Sequence, residues 1–255
     1  MITLLHLTDT HLYAAPGRAL RGVDTADSLA AVVAAVRRDR AWPPAAVLAT
    51  GDLAEDESEA AYRRLRSLLA PLDRPVYCLP GHHDDPRAMH AVLNAAPFSM
   101  QREVVIDDWR VLMLDSRIPG SAAGRLGEDE LRELDALLAR DTGRHVLVCV
   151  HHHPVPMGSL WLDRHLLADA AALFAALDTH PRVRGVVWGH VHQPWDSTRG
   201  ALRLLATPST CGQFLPGSER FATDDRPPAW RWLHLHADGS LDTRLCWLNG
   251  AAPTV

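Results

Sequence analysis

The chain of 255 residues carries fifteen histidines, and where they stand matters more than how many there are. Asp9-Thr10-His11 comes first, then Gly51-Asp52, Gly81-His82-His83-Asp84, His151-His152-His153-Pro154 and Gly189-His190-Val191-His192. Carboxylates and imidazoles are both metal donors. Together they suit Mn, Fe, Zn or Co, whereas a soft thiolate site or an all-oxygen Ca or Mg cage calls for other residues. Two such ions roughly 3.5–4 Å apart form the clamp used in displacements at phosphorus. A pair that close needs a bridging carboxylate, because adjacent cations repel unless an anion lies between them. Each piece is weak alone: Asp-x-His arises by chance, Gly-Asp after a strand is commonly just a turn, and His at i, i+2 is often two unrelated residues. Their joint occurrence, each after an apolar run, points to one site.

The elements that must position these residues alternate. Residues 2–7 read as a buried strand and 24–38 as an amphipathic helix opened by an Asp or Thr cap. A strand at 46–50, a helix at 57–69, a strand at 75–79 and a short helix at 86–93 follow. Residues 104–106 and 111–114 flank Asp107-Asp108 as a hairpin would. Then come a helix at 128–139, a strand at 145–150, a helix at 166–177 and a strand at 183–188. Residues 202–206, 229–236 and 241–247 read as an antiparallel series, with Asp238-Gly239 as the last turn. The pattern predicts one α/β domain over 1–255, its sheets layered and covered by helices. Open α/β sheets bind ligands at the carboxyl edge of their strands, which is where every Asp/His piece falls.

Composition narrows the partners. With 31 acidic and 26 basic residues the formal charge is -5, so no basic face argues for nucleic acid or a membrane surface. No apolar run is long enough to cross a bilayer. Cys78, Cys149, Cys211 and Cys246 are scattered and form no C-x-x-C pair, which argues against a disulfide framework, and Cys78 and Cys149 read as buried thiols in apolar runs. The N-terminus enters directly into an apolar strand without the features of a signal peptide, and the expected compartment is the cytoplasm.

The order D-x-H, G-D, G-N-H-D, H-x-P, G-H-x-H resembles that of the calcineurin-like metallophosphoesterases over most of the chain. Within that superfamily the sequence is similar to the bacterial class III 3′,5′-cyclic-AMP phosphodiesterases. Leu20-Arg21-Gly22-Val23-Asp24-Thr25, Pro208-Ser209-Thr210-Cys211-Gly212-Gln213-Phe214, Trp230 and His236-Ala237-Asp238-Gly239-Ser240 have counterparts there. The resemblance implies a layered α-β-β-α sandwich of two mixed sheets flanked by helices. It implies two divalent or trivalent transition-metal ions (Mn, Fe or Zn), with Asp9, His11 and His192 on the first, Asp52 bridging, and His152 and His190 on the second. His152 is chosen among three adjacent histidines because it stands two residues before Pro154, with His151 as the fallback. His83 would contact the phosphate and help protonate the leaving oxygen, with His192 also near the substrate. Glu55 and Asp56 are both placed to orient His83.

One motif departs from the pattern: the Asn of G-N-H-D is His82. It supplies an imidazole nitrogen to the second metal, which is the preferred reading, or turns away and weakens that site, or is an engineered or chance substitution. The reaction implied is hydrolysis of 3′,5′-cyclic AMP to AMP by in-line attack of a hydroxide made available by the metals. A glycerophosphodiesterase or other small-phosphoester hydrolase would share the metal core. A nucleotide-binding protein with impaired turnover is the reading of another class, resting on His82. The substrate partner expected is a small cyclic nucleotide, and a homodimer is left open. Trp161 follows the histidine run and could wall the base. Trp230 and His234 read rather as core or interface, Arg117 as a solvated cation, and 213–228 as a long loop.

Overall fold

Successive side chains of a strand point to opposite faces, and in most of these strands both faces are apolar. Such strands must be covered on two sides, which forces layers. The structure is a computed structural model describing residues 1–140 and 143–250. Its principal strands are β1 (Ile2–Leu7), β2 (Ala46–Thr50), β3 (Val76–Leu79), β4 (Phe98–Ser99), β5 (Glu103–Ile106), β6 (Trp109–Met113), β7 (His145–Cys149), β8 (Val183–Trp188), β9 (Trp195–Arg199), β10 (Leu202–Ala206), β11 (Ala229–Leu235) and β12 (Leu241–Trp247). The α-helices are α1 (Thr25–Val36), α2 (Glu59–Leu69), α3 (Pro86–Leu93), α4 (Gly127–Leu138) and α5 (Ala170–Asp178).

Two six-stranded mixed sheets result, in the orders β12-β11-β1-β2-β3-β4 and β9-β10-β8-β7-β6-β5. The middle strands of each run parallel, and the antiparallel pairs lie toward the edges. Leu5, Leu7, Val47 and Ala49 pack with α1, α2 and α3 on the outer face of the first sheet. Leu112, Val146, Val148 and Val186 do the same with α4 and α5 on the second. The alternate residues Leu4, Leu48, Val111, Leu147, Val187 and Leu233 meet between the sheets. The α-β-β-α sandwich follows from this alternation. Asp24 caps α1 by accepting from the Ala26 and Asp27 amides, and Ser58 caps α2 through Ala61, so both helices begin where a side-chain oxygen replaces the missing turn. Among the described residues no helix is long and apolar enough to cross a membrane.

The predicted antiparallel series of 202–206, 229–236 and 241–247 is corrected. β10 lies in the second sheet, parallel to β8, while β11 and β12 form an antiparallel pair in the first, beside β1. The chain therefore crosses between sheets over 207–228. β9, missed in the sequence, is a half-exposed edge strand with little apolar content, so periodicity offered no signal.

Toward the strand ends the inter-sheet layer turns polar. His6 is wholly buried, with Nε2 2.7 Å from the Thr50 hydroxyl and Nδ1 2.7 Å from that of Thr207. Arg231 lies beneath, donating to Thr207 Oγ1 and to the carbonyls of Ala206 and Trp195. The sandwich is thus apolar in its middle and hydrogen-bonded under the site.

Leu48, fully buried between the sheets, tests this packing. Leu48→Ala is expected to cost about 2–5 kcal/mol, read in urea as a lower unfolding midpoint with an unchanged m-value.

Candidate metal centre

The motif residues stand just past the carboxyl ends of the strands, where the chain must turn sharply. Asp9, His11, Asp52, His190 and His192 all have left-handed backbones, with φ of 53, 45, 49, 63 and 46°. Non-glycine residues in that region cost about 1–3 kcal/mol each and persist only where the surroundings hold them. Here the loops hold one another. The Asp9 amide donates to Gly51 O at 3.0 Å and the His11 amide to Asp52 O at 2.9 Å. The His190 amide donates to both Asp9 carboxylate oxygens at 3.0 and 3.1 Å, and the His83 amide to Asp52 Oδ1 at 3.0 Å. A Cβ at Gly81 would collide with Asp52, and one at Gly189 with Thr8 and Asp9. The glycines of these motifs exist to let the loops approach.

Asp84 ties two of the loops together. Its buried carboxylate accepts from the amides of Gly81 (2.8 Å), Leu53 (3.1 Å) and Ala54 (3.0 Å) and from the Tyr62 hydroxyl (3.0 Å). Burial, with Asp52 nearby, lifts its pKa to about 6.

Within this frame the donor atoms gather around Asp52, which is 1% exposed. On one side are Asp9, His11 and His192. His192 Nε2 is 3.3 Å from Asp9 Oδ1, and His11 Nε2 is 3.9 Å from Asp52 Oδ2. On the other are His82, His151, His152 and His190. His82 Nδ1 and His151 Nε2 stand 3.1 and 3.3 Å from Asp52 Oδ2.

Outer hydrogen bonds fix which nitrogen faces inward. His11 Nδ1 donates to Glu55 (2.7 Å), His192 Nδ1 to Gly212 O (2.7 Å) and His151 Nδ1 to Thr50 O (2.9 Å). The Nε2 atoms of His11 and His192 then face each other at 3.2 Å. Two lone pairs at that distance repel unless a proton or a metal cation lies between them. Nε2 of His152 and both ring nitrogens of His190 are buried without a partner. Burial first, then the neighbouring imidazoles, holds His152 and His190 well below the ordinary histidine range, so they are neutral donors. Ring nitrogens buried without partners on one side of Asp52, and two ring nitrogens crowded together at 3.2 Å on the other, fit a pair of cations.

His152 and His151 both reach this cluster, by different routes. His151 lies directly against Asp52. His152 has Nδ1 on the Ser116 hydroxyl at 2.7 Å and packs against Gly124. His82 points into the cluster, its ring centroid 5.0 Å from that of His190. His83 stands at the mouth, its side chain 35% exposed, with Nδ1 3.4 Å from Glu55 Oε2. Asp56 instead accepts from the Ala14 amide and the Ser58 hydroxyl, so Glu55 is the acid beside His83.

A cavity of about 170 Å³ opens over the cluster, walled by Trp161, Phe214, Phe221 and Arg21 as well as the histidines. It shares Arg21, His192 and Phe214 with an adjoining cavity of about 350 Å³. Phe214 stacks on His192 at 4.1 Å, and Arg21 lies over Phe221 at 4.0 Å. Phe214 and Phe221 belong to the stretch that reads as a plain loop in the sequence, and no spacing rule singles them out. Trp230 packs in the core beside α1. His234 faces Thr3 within the sheet, and Arg117 is paired with Asp115 at 2.6 Å.

Asp84→Ala leaves three buried amides without an acceptor. We expect a loss of about 2–4 kcal/mol, measured by thermal unfolding, together with weaker metal retention after dialysis. An unchanged melting temperature would contradict the role given to Asp84.

Known proteins resemble this chain over most of its length. The chain is 44% identical over 242 residues to the 3′,5′-cyclic adenosine monophosphate phosphodiesterase CpdA of Pseudomonas aeruginosa, covering 95% of this chain and 88% of that protein. It is 42% identical over 245 residues to the CpdA of Escherichia coli K12, covering 96% and 89%. Among solved structures, a dimetal phosphatase from Danio rerio superposes with a TM-score of 0.64 at 18% identity, over 91% of this chain and 94% of that one; this likeness shows the fold. The profile of the calcineurin-like phosphoesterases matches residues 2–194, and the chain belongs to that family, whose members hydrolyse phosphoesters at a dinuclear divalent metal centre.

Proposed function

We propose that the chain hydrolyses 3′,5′-cyclic AMP to AMP at the strand-end cluster. The observation that carries this is the pair of donor groups flanking Asp52; the nucleotide is argued from the CpdA relatives. In this reading Asp9, His11 and His192 hold one ion, and Asp52 is shared. His151 and His190 hold the second, with His82 and His152 beside them. His151 takes the place expected of His152, because its Nε2 faces Asp52 while Thr50 O holds its other nitrogen.

Bound there, the ions would lower the pKa of water toward about 7 and neutralise the phosphate oxygens. The chain's own residues do the rest. Hydrolysis places an oxygen on phosphorus, breaks the bond to the 3′ oxygen and returns a proton to that oxygen. His83 is half-buried at the mouth with Nδ1 turned to Glu55, which leaves its other ring nitrogen to face the leaving oxygen as a general acid. Trp161, Phe214 and Phe221 offer the apolar wall that a purine needs.

The test is AMP production from cyclic AMP by the purified protein with Mn²⁺ added and with a chelator as control. Metal-dependent AMP is expected. His83→Ala should lower kcat by about 10²–10⁴-fold while metal content, read by elemental analysis, stays unchanged. No AMP from fully metal-loaded protein would overturn the assignment.

A further inference from the structure

The two sides of Asp52 are chemically unlike. On the first, Asp9 adds a second carboxylate to His11 and His192. On the second, His82, His151, His152 and His190 bring their ligand atoms within 4.8 Å of one another, and Asp52 is the anion beside them. The ring of His82 lies among the others, with centroids 5.5 Å from His151, 5.7 Å from His152 and 5.0 Å from His190. Its Nδ1 is 3.3 Å from His151 Nε2 and 3.1 Å from Asp52 Oδ2, so this nitrogen, and not a ring edge, faces the place a cation would take. The backbone fixes that aim: the Gly81 carbonyl accepts from the Asp84 amide and the His83 amide donates to Asp52, which pins the peptides on either side of His82.

We propose that His82 is a metal ligand and makes the second half-site nitrogen-rich, so that it selects Zn²⁺-like ions over Mn²⁺ more strongly than the first half-site does. The inference rests on the dinuclear reading given above. Its physical basis is donor softness: imidazole suits Zn, Ni and Cu, while carboxylate and carbonyl oxygens suit Mn and Mg. With His82 added to His151 and His190, three imidazoles stand against one shared carboxylate, and the second position lies at the nitrogen end of that scale. With two carboxylates and two imidazoles, the first lies nearer the oxygen end.

The test measures Zn²⁺ and Mn²⁺ affinities for each of the two binding steps, by competition with a chromophoric chelator and by elemental analysis of the loaded protein. In the wild-type chain the Zn-to-Mn affinity ratio should differ between the steps by at least about tenfold. In His82→Asn, which offers an amide oxygen in place of the ring, Zn²⁺ affinity at one step should fall by about 10–100-fold, with Mn²⁺ affinity there within threefold of wild type. Equal ratios at the two wild-type steps would overturn the inference without needing any variant. So would a His82→Asn protein, folded by circular dichroism, that loses both ions equally or neither. Fewer than two ions per wild-type chain would sink the dinuclear reading itself, which separates the two failures.

Discussion

A carboxylate buried to 1% exposure and faced by imidazoles from three separate strand ends is the constraint on which the site depends. Asp52 cannot stand there as an uncompensated charge, since burial alone would drive its proton back on; the surrounding His151, His82 and His11 hold it well below the usual carboxylate range instead. The same crowding that compensates Asp52 places nitrogen atoms close enough to repel one another. Cations held among these donors would relieve that repulsion.

The price of assembling such a cluster is visible in the backbone. Five of the motif residues are left-handed, and each depends on a neighbouring loop for its hydrogen bonds. The polar layer below continues the same logic. Arg231, Thr207, His6 and Thr50 form a connected chain of hydrogen bonds, and the Thr50 carbonyl at its end holds His151 Nδ1. The inter-sheet layer therefore reaches His151 through the group that sets its tautomer.

The aromatic wall over the cluster comes from a different part of the chain. The metal donors come from the tight turns after β1, β2, β3, β7 and β8, while the aromatic wall comes from Trp161 and the crossing segment that carries Phe214 and Phe221. The stack of Phe214 on His192 is where the two parts meet. Loops of this kind change the ligand taken without disturbing the donors beneath.

Much of the protein was legible in its sequence because the relevant signals are local. Short apolar runs, capped helices, and an Asp or His just after five of the strands identify layered sheets covered by helices and the residues at their edge, since a strand's end is a position in the chain before it is a position in space. The resemblance of motif order then named the chemistry. What the tertiary structure decided depends on distance between residues far apart in the chain: which sheet β10 joins, that His151 lies against Asp52 beside His152, that Glu55 and not Asp56 backs His83, and that His82 turns into the cluster. Three adjacent histidines look alike in one dimension, and only the direction of each ring relative to Asp52 tells them apart.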